Sequence, residues 1–300
     1  MATLPDDARQ RLDALARESP EWRPWVALLE ETLDAVQDPA WNAAVPEPDP
    51  ARPPGAPLLA RARLPVDPRL LAGWLRHLSE TASASGAAGA AAVAAAWRGE
   101  RLDPLAVATA AVCQDGTQLA RLAAAAGVDP RPLESVADLA AIPLLQACGR
   151  QLAARVPADW RYGYCPICGA WPTLAELRGL ERSRRLRCGR CGADWGIEWM
   201  RCPFCGADDH RQLGFLVPEK DGDTRKVDTC TACKGYLKAM ATLRPWPPYR
   251  VMLEDLGSVA LDVAALERGF ARPAPPGFAL EARVVAAGSS NGAAHGGGAA

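Results

Sequence analysis

Eight of the ten cysteines in this 300-residue chain fall into four Cys-x-x-Cys pairs: Cys165/Cys168, Cys188/Cys191, Cys202/Cys205 and Cys230/Cys233. A pair at this spacing aims two sulfurs and nearby backbone amides at one point. Glycine follows the second cysteine at Gly169, Gly192 and Gly206, where it eases a tight turn. Nineteen residues separate the first two pairs and 24 the last two. Either spacer suits a two-stranded ribbon that folds the second pair back on the first. Sequential pairing is the simplest arrangement, and it predicts two tetrahedral sites of four sulfurs each, suited to zinc or a rubredoxin-type iron. Such sites hold small ribbons folded, because a ribbon buries too little apolar surface for a core of its own. A closed shell of four sulfurs implies no open position, so catalysis by the metal is not expected. A thioredoxin-like redox pair would need a helix N-terminus in a βαβ setting, which the pattern lacks.

Other chemistry-bearing residues are scattered. Cys113 and Cys148 lie on apolar helical patterns and read as core residues. His77 sits beside Leu75 and Leu78 and reads as packing or surface. His210 follows an acidic pair on a turn, and His295 lies in the terminal tail. There is no Ser/His/Asp arrangement and no phosphate-cradling glycine loop, so no catalytic residue is assigned. The formal net charge is −1, which gives no basic excess for nucleic acid or a membrane surface. Four Tyr and four Phe offer few platforms for base stacking. The cluster ERSRRLRC, from Glu181 to Cys188, is the densest basic run; it reads as a solvated hairpin face, with contact to phosphate or an acidic partner as the sharper alternative. The start of the chain is acidic and lacks an apolar leader. The most apolar run, Gly86 to Trp97, is too short to span a bilayer. A soluble, cytoplasmic protein is expected, in which ten cysteines point to metal or redox chemistry rather than disulfides.

The elements that must position the cysteines follow from periodicity. Residues 1–156 read as an all-α domain of seven or eight helices. Stripes such as Ala8/Leu12/Leu15, Trp22/Val26/Leu29/Leu33 and Leu70/Leu71/Trp74/Leu75/Leu78 recur at helical spacing. Asp6 and Ser19 are expected as N-caps, and Val45 to Pro57 as an extended, proline-rich loop. The period then changes to two. TLAELR, RRLRC and DWGIEW read as short strands, and Asp221-Gly222 reads as a hairpin turn. Glu254 to Phe270 reads as one amphipathic helix, and the Gly-rich tail as disordered. The expected class is α+β: an N-terminal helical domain (1–156), two tandem rubredoxin-like or zinc-ribbon modules (157–200 and 201–243), a C-terminal helix packing back on the core (244–287), and a tail (288–300).

The order CPICGAWP, LRCGRCGADW, RCPFCG, DTCTACKGYLK and DLGSVALDVAALERGF resembles the formate dehydrogenase accessory protein family, FdhE. The resemblance is most specific from Cys165 to about Phe270, and CKGYLK (Cys233 to Lys238) is its most telling part. It implies a cytoplasmic, non-enzymatic maturation factor that binds the catalytic subunit of respiratory formate dehydrogenases before export. It also implies all eight paired cysteines as ligands, with iron favoured and zinc open. Exposed parts of KGYLK (Lys234, Tyr236 and Lys238) and the tryptophans Trp195 and Trp199 are the candidate partner contacts. Ribbon packing is the preferred reading for both tryptophans. The rival functions are a nucleic-acid-binding zinc ribbon and a rubredoxin-like redox protein; a homodimer is left open.

Overall fold

The structure is a computed structural model and describes residues 4–220, 222 and 224–288. Helix α1 (Asp6–Glu18) starts after Pro5, so Asp6 sits in the first turn beside Asp7 and is not the cap. Both carboxylates there favour the positive end of the helix. Its buried Ala8, Leu12 and Leu15 are the stripe the spacing predicts. Ser19 precedes a 3-10 turn (Pro20–Trp22) without a side-chain cap bond. The chain then enters α2 (Arg23–Ala35), which buries Val26, Leu29 and Leu33.

A short strand, β1 (Arg63–Val66), interrupts what the sequence reads as all helix. After it come α3 (Pro68–Ala84), α4 (Ala90–Arg98), α5 (Pro104–Cys113), α6 (Gly116–Ala126) and α7 (Pro130–Leu152). Asp-Pro steps open three of them. The proline's fixed φ suits a first helical turn. The preceding Asp67, Asp103 and Asp129 accept the N–H of Arg69, Leu105 and Arg131 at 2.8, 2.9 and 2.9 Å. Helix α7 is the axis of the helical layer. Every residue from Ala140 to Gly149 is buried, and it packs against α2, α3, α5 and α6. A helix apolar on all sides belongs inside a core.

The sheet strands are β2 (Leu174–Arg178), β3 (Ser183–Arg187), β4 (Asp194–Gly196), β5 (Leu213–Leu216), β6 (Arg225–Cys230) and β7 (Tyr236–Thr242). They form a single six-stranded sheet in the order β4-β3-β2-β7-β6-β5. The two tandem modules therefore share one sheet. They join where β2 runs parallel to β7, from Leu174 opposite Lys238 to Arg178 opposite Thr242. The β5–β6 hairpin forms as read, although Asp221 lies outside the described residues.

Where the sequence reads one helix over Glu254 to Phe270, the structure has two, α8 (Pro248–Leu256) and α9 (Val259–Glu267). The break falls at Gly257-Ser258, where the Ser258 hydroxyl donates to the Glu254 carbonyl at 2.6 Å. Beyond them β8 (Arg283–Ala286) pairs in parallel with β1, Arg63 opposite Arg283. The tail expected to be disordered (288–300), with His295, lies outside the described residues from 289 onward.

One core runs from the helical layer into the first cysteine module. It joins Leu144, Leu145 and Cys148 of α7 to Cys165, Cys168, Cys188, Cys191 and Trp195. Gly149 makes that contact close: a Cβ there would overlap the Cys191 carbonyl. Gly149→Ala is expected to push α7 off the knuckle and cost about 1–3 kcal/mol, the usual range for overpacking. The urea midpoint measures it. A loss under about 0.5 kcal/mol, the level of a neutral surface change, would refute this contact.

Candidate metal centres

The eight paired cysteines come together as two groups, Cys165/Cys168/Cys188/Cys191 and Cys202/Cys205/Cys230/Cys233, and all sulfurs within a group lie within 4.8 Å of one another. In the first group Cys165 and Cys191 sulfurs are 3.4 Å apart, and Cys168 and Cys188 3.5 Å. In the second, Cys202–Cys233 and Cys205–Cys230 are both 3.7 Å. A tetrahedral ion with metal–sulfur bonds of about 2.3 Å needs sulfurs about 3.8 Å apart, so both groups are close to the size that fits.

The knuckles explain why. The amide of each first cysteine donates to the carbonyl two residues after the second one, closing a small loop. These bonds run from Cys165 to Ala170 at 2.8 Å, Cys188 to Ala193 at 3.0 Å, Cys202 to Ala207 at 2.8 Å and Cys230 to Gly235 at 2.9 Å. Gly169, Gly192 and Gly206 take φ of +70°, +76° and +78° inside those loops. Lys234 holds the matching place in the fourth at φ +58°. Backbone amides also point at sulfur, as from Ile167 to Cys165 at 3.4 Å, Cys191 to Cys188 at 3.5 Å and Gly235 to Cys233 at 3.3 Å.

Such donors favour thiolate over thiol. Hydrogen bonds from Cys165, Cys168 and Cys191 hold Cys188 well below the usual thiol range. Burial pushes Cys165 and Cys191 well above it. In the second group burial raises Cys202, and raises Cys233 to about 11. Burial opposes ionisation of Cys230 too, but the amides of Cys233 and Ala232 together with hydrogen bonds from Cys205 and Cys202 lower that thiol. Four thiolates this close repel one another strongly, so a bound cation is what would let each group ionise fully. The donor set and its dimensions thus fit a soft or borderline divalent metal.

Neither of the remaining cysteines joins a group. Cys148 is buried beside Cys168, and burial pushes its thiol up to about 12. Cys113 donates to the Ala282 carbonyl at 3.3 Å. His77 pairs with Glu31 at 2.9 Å and stacks on Trp74, while His210 is exposed near Asp209.

The basic cluster Glu181 to Cys188 is a solvated face only in part: Arg182 is exposed and Arg185 half-buried. Arg187 and Arg184 are buried; Arg187 pairs with the fully buried Glu176 of β2, and Arg184 with Asp228 at 3.1 Å. The adjacent β2 supplies the counter-charge of Arg187, and β6, across the β2–β7 junction, that of Arg184. The partner-contact expectation for KGYLK needs a similar correction. Tyr236 and Lys238 are buried, at 4% and 0% exposure. Lys238 Nζ lies 2.7 Å from carboxylates of both Asp255 and Asp262, and Tyr236 donates to Asp262 at 2.8 Å. Arg272 closes the network on the same two carboxylates at 2.7 and 2.9 Å. These residues tie the sheet to α8 and α9; only Lys234 stays at the surface, its ammonium over Phe270. Trp195 is buried and donates to the Tyr162 carbonyl at 3.2 Å, whereas Trp199 is 48% exposed under Lys226.

Burial works against the charge of Asp262, but Lys238 and Arg272 overcome it and hold its carboxyl below the usual range. A carboxyl depressed in the folded state contributes stability that is complete above its unfolded pKa, about 3.9, and is lost as pH falls through the lower folded value. Asp262→Asn is therefore expected to lower the urea midpoint at pH 7 and to flatten its decline below about pH 4. Parallel curves for the two proteins would exclude the coupling.

Sequence reasoning missed an aromatic row between the two groups. Tyr164 meets Trp171 at 6.3 Å and Trp171 meets Phe204 at 5.3 Å, edge to face. Tyr164 precedes Cys165 and Phe204 lies between Cys202 and Cys205, so proximity to the knuckles was the available signal.

Fold and site together define a class: a helical layer joined to one sheet that carries two four-cysteine groups able to hold metal ions. No family model matches the chain. It is 33% identical over 114 residues to a protein FdhE homolog of Aquifex aeolicus, a match covering 37% of this chain and 40% of the relative. It is 32% identical over 119 residues to the homolog of Pseudomonas aeruginosa and 28% identical over 130 residues to protein FdhE of Escherichia coli. The matched segment spans about two fifths of the length of these relatives. The fold is that of the crystal structure of the FdhE protein from Pseudomonas aeruginosa, with a TM-score of 0.57 at 23% identity, covering 91% of this chain and 94% of that one. Over that segment the chain is similar to FdhE proteins, and its fold is that of the FdhE protein from Pseudomonas aeruginosa.

Proposed function

We propose that the chain is a non-enzymatic accessory protein for formate dehydrogenase. It binds the catalytic subunit in the cytoplasm and assists assembly before export, with one metal ion in each four-cysteine group. The observation that carries this reading is the pair of four-cysteine groups on one sheet, in a chain similar to FdhE proteins. By the family resemblance iron is the favoured ion and zinc the alternative; sulfur ligation suits both. Burial of Arg184 and Arg187 in ion pairs takes two of the four arginines of the densest basic run off the surface and weakens the nucleic-acid reading. Among the described residues no helix is long and apolar enough to cross a membrane.

An anaerobic affinity pull-down from the native host respiring formate tests the proposal, with mass spectrometry of the bound proteins. Enrichment of a formate dehydrogenase catalytic subunit is expected. Retention of nucleic acid or transcription proteins in its place would overturn the reading.

A further inference from the structure

The two four-cysteine groups differ in access far more than in ligand geometry. In the first, Cys165, Cys168 and Cys188 have 0% exposure and Cys191 2%. Three separate parts of the chain close it in. Leu58 and Leu59 donate to the carbonyls of Pro166 and Ile167 at 2.8 and 3.0 Å. Phe278 donates to the Gly169 carbonyl at 3.0 Å. Helix α7 sits on the second knuckle through Gly149. The second group is covered less completely: Gly163 abuts the Pro203 carbonyl of one knuckle and Ala271 donates to the Lys234 carbonyl of the other at 2.8 Å, yet two of its cysteines stay accessible. Cys205 and Cys233 lie at the surface, on opposite knuckles. From the other side, a cavity of about 240 Å³ reaches Cys202 and Cys230. Its mouth carries Trp199, Met200 and Phe215, which are 48%, 45% and 65% exposed.

We propose that the groups have separate roles: the first is a sealed structural site, and the second is an exchange site at which an incoming thiol replaces a protein ligand and draws the metal off. This rests on the reading that each group holds an ion. Exchange at a full shell of four sulfurs is associative. It needs a path for a fifth sulfur and a protein ligand free to swing away, and only the second group has both. At that site the Cys233 sulfur releases its bond to the ion as the incoming sulfur forms one. The proton of the incoming thiol passes to Cys233, and the metal keeps its oxidation state. Cys205, also at the surface, is the ligand that follows. In the first group any ligand that left would have to displace α7 or the Leu58–Leu59 segment, so exchange there waits on partial unfolding.

The full-length protein, loaded anaerobically with Zn(II), is challenged with a chromogenic pyridylazo chelator at increasing glutathione concentration. The expected result is two equivalents of zinc released in two phases. One should be faster by about 10–100-fold, the range over which the surroundings of a site alter metal binding, with a rate that rises with glutathione. The slow phase should not respond to the thiol. N-ethylmaleimide labelling mapped by mass spectrometry should reach Cys205 and Cys233 during the fast phase and leave Cys165, Cys168, Cys188 and Cys191 unlabelled. Cys205→Ser should remove the fast phase and keep the slow one; the labelling of the unaltered protein decides the matter even if that variant folds poorly. Two equivalents leaving together, or equal labelling of both groups, would overturn the division of roles and leave the metal reading intact. A chain that binds no zinc and no iron would overturn both.

Discussion

Cys188→Ser is expected to halve the metal content of the purified protein and to unfold the first cysteine module. The reason is burial. All four sulfurs of this group are inside the core, and Cys188 is the thiol that its three neighbours acidify most. A serine there supplies a poor ligand for a soft site and leaves three buried thiols without charge compensation. Closed zinc sites in small domains contribute about 10–16 kcal/mol of apparent binding energy at neutral pH. Only part of that shows up as lost stability, because the helical layer also supports the module. Even so, a loss of several kcal/mol is expected, in the range that removes a folded module altogether. Metal analysis and denaturant unfolding measure the two effects together. Cys148→Ala is the control. It removes a buried sulfur next to Cys168 that belongs to neither group, so metal content should not change. If Cys188→Ser kept both ions, the first group would not be a metal site.

The second large effect concerns the charge buried in the sheet. Glu176 is fully buried and serves Arg187, Arg178 at 2.5 Å and the Trp246 amide at 3.3 Å. Glu176→Ala leaves Arg187, whose side chain is 3% exposed, without its direct ion-pair partner. Breaking a buried pair from one side costs about 3–5 kcal/mol, most of it the desolvated charge left behind. The pair itself contributes much less, since two charges taken from water offset their own attraction. The double variant Glu176→Leu with Arg187→Met should therefore recover most of the loss. Urea unfolding of the two single variants and the double gives the coupling directly. A double variant as unstable as Glu176→Ala would show that the pair stabilises more than its apolar replacement, against this argument.

Much of the protein is legible in the sequence, and the legible parts share a feature. Helix stripes, Asp-Pro starts and the knuckles are settled by residues close together in the chain. The α3 stripe Leu71/Leu75/Leu78 lies on one face because the helical repeat puts it there. The knuckles close because glycine tolerates positive φ at three of the four turns. Even the grouping of the four pairs follows from spacers of hairpin length.

What tertiary structure alone decided involves partners distant in sequence. The parallel junction of β2 with β7 and the pairing of β1 with β8 have no local signature, because short strands of four to seven residues carry little register information of their own. Charged residues on such strands read as solvent-facing until a neighbouring strand or helix brings the opposite charge. That is why Arg187 and Lys238 read as surface groups in the sequence and prove to be buried in ion pairs. The same holds for the two four-cysteine groups. Sequence makes them near twins, since ligand type and spacing are local. Only the packing of α7 and the Leu58–Leu59 segment over the first, and the less complete cover that leaves Cys205 and Cys233 accessible at the second, makes one closed and the other open.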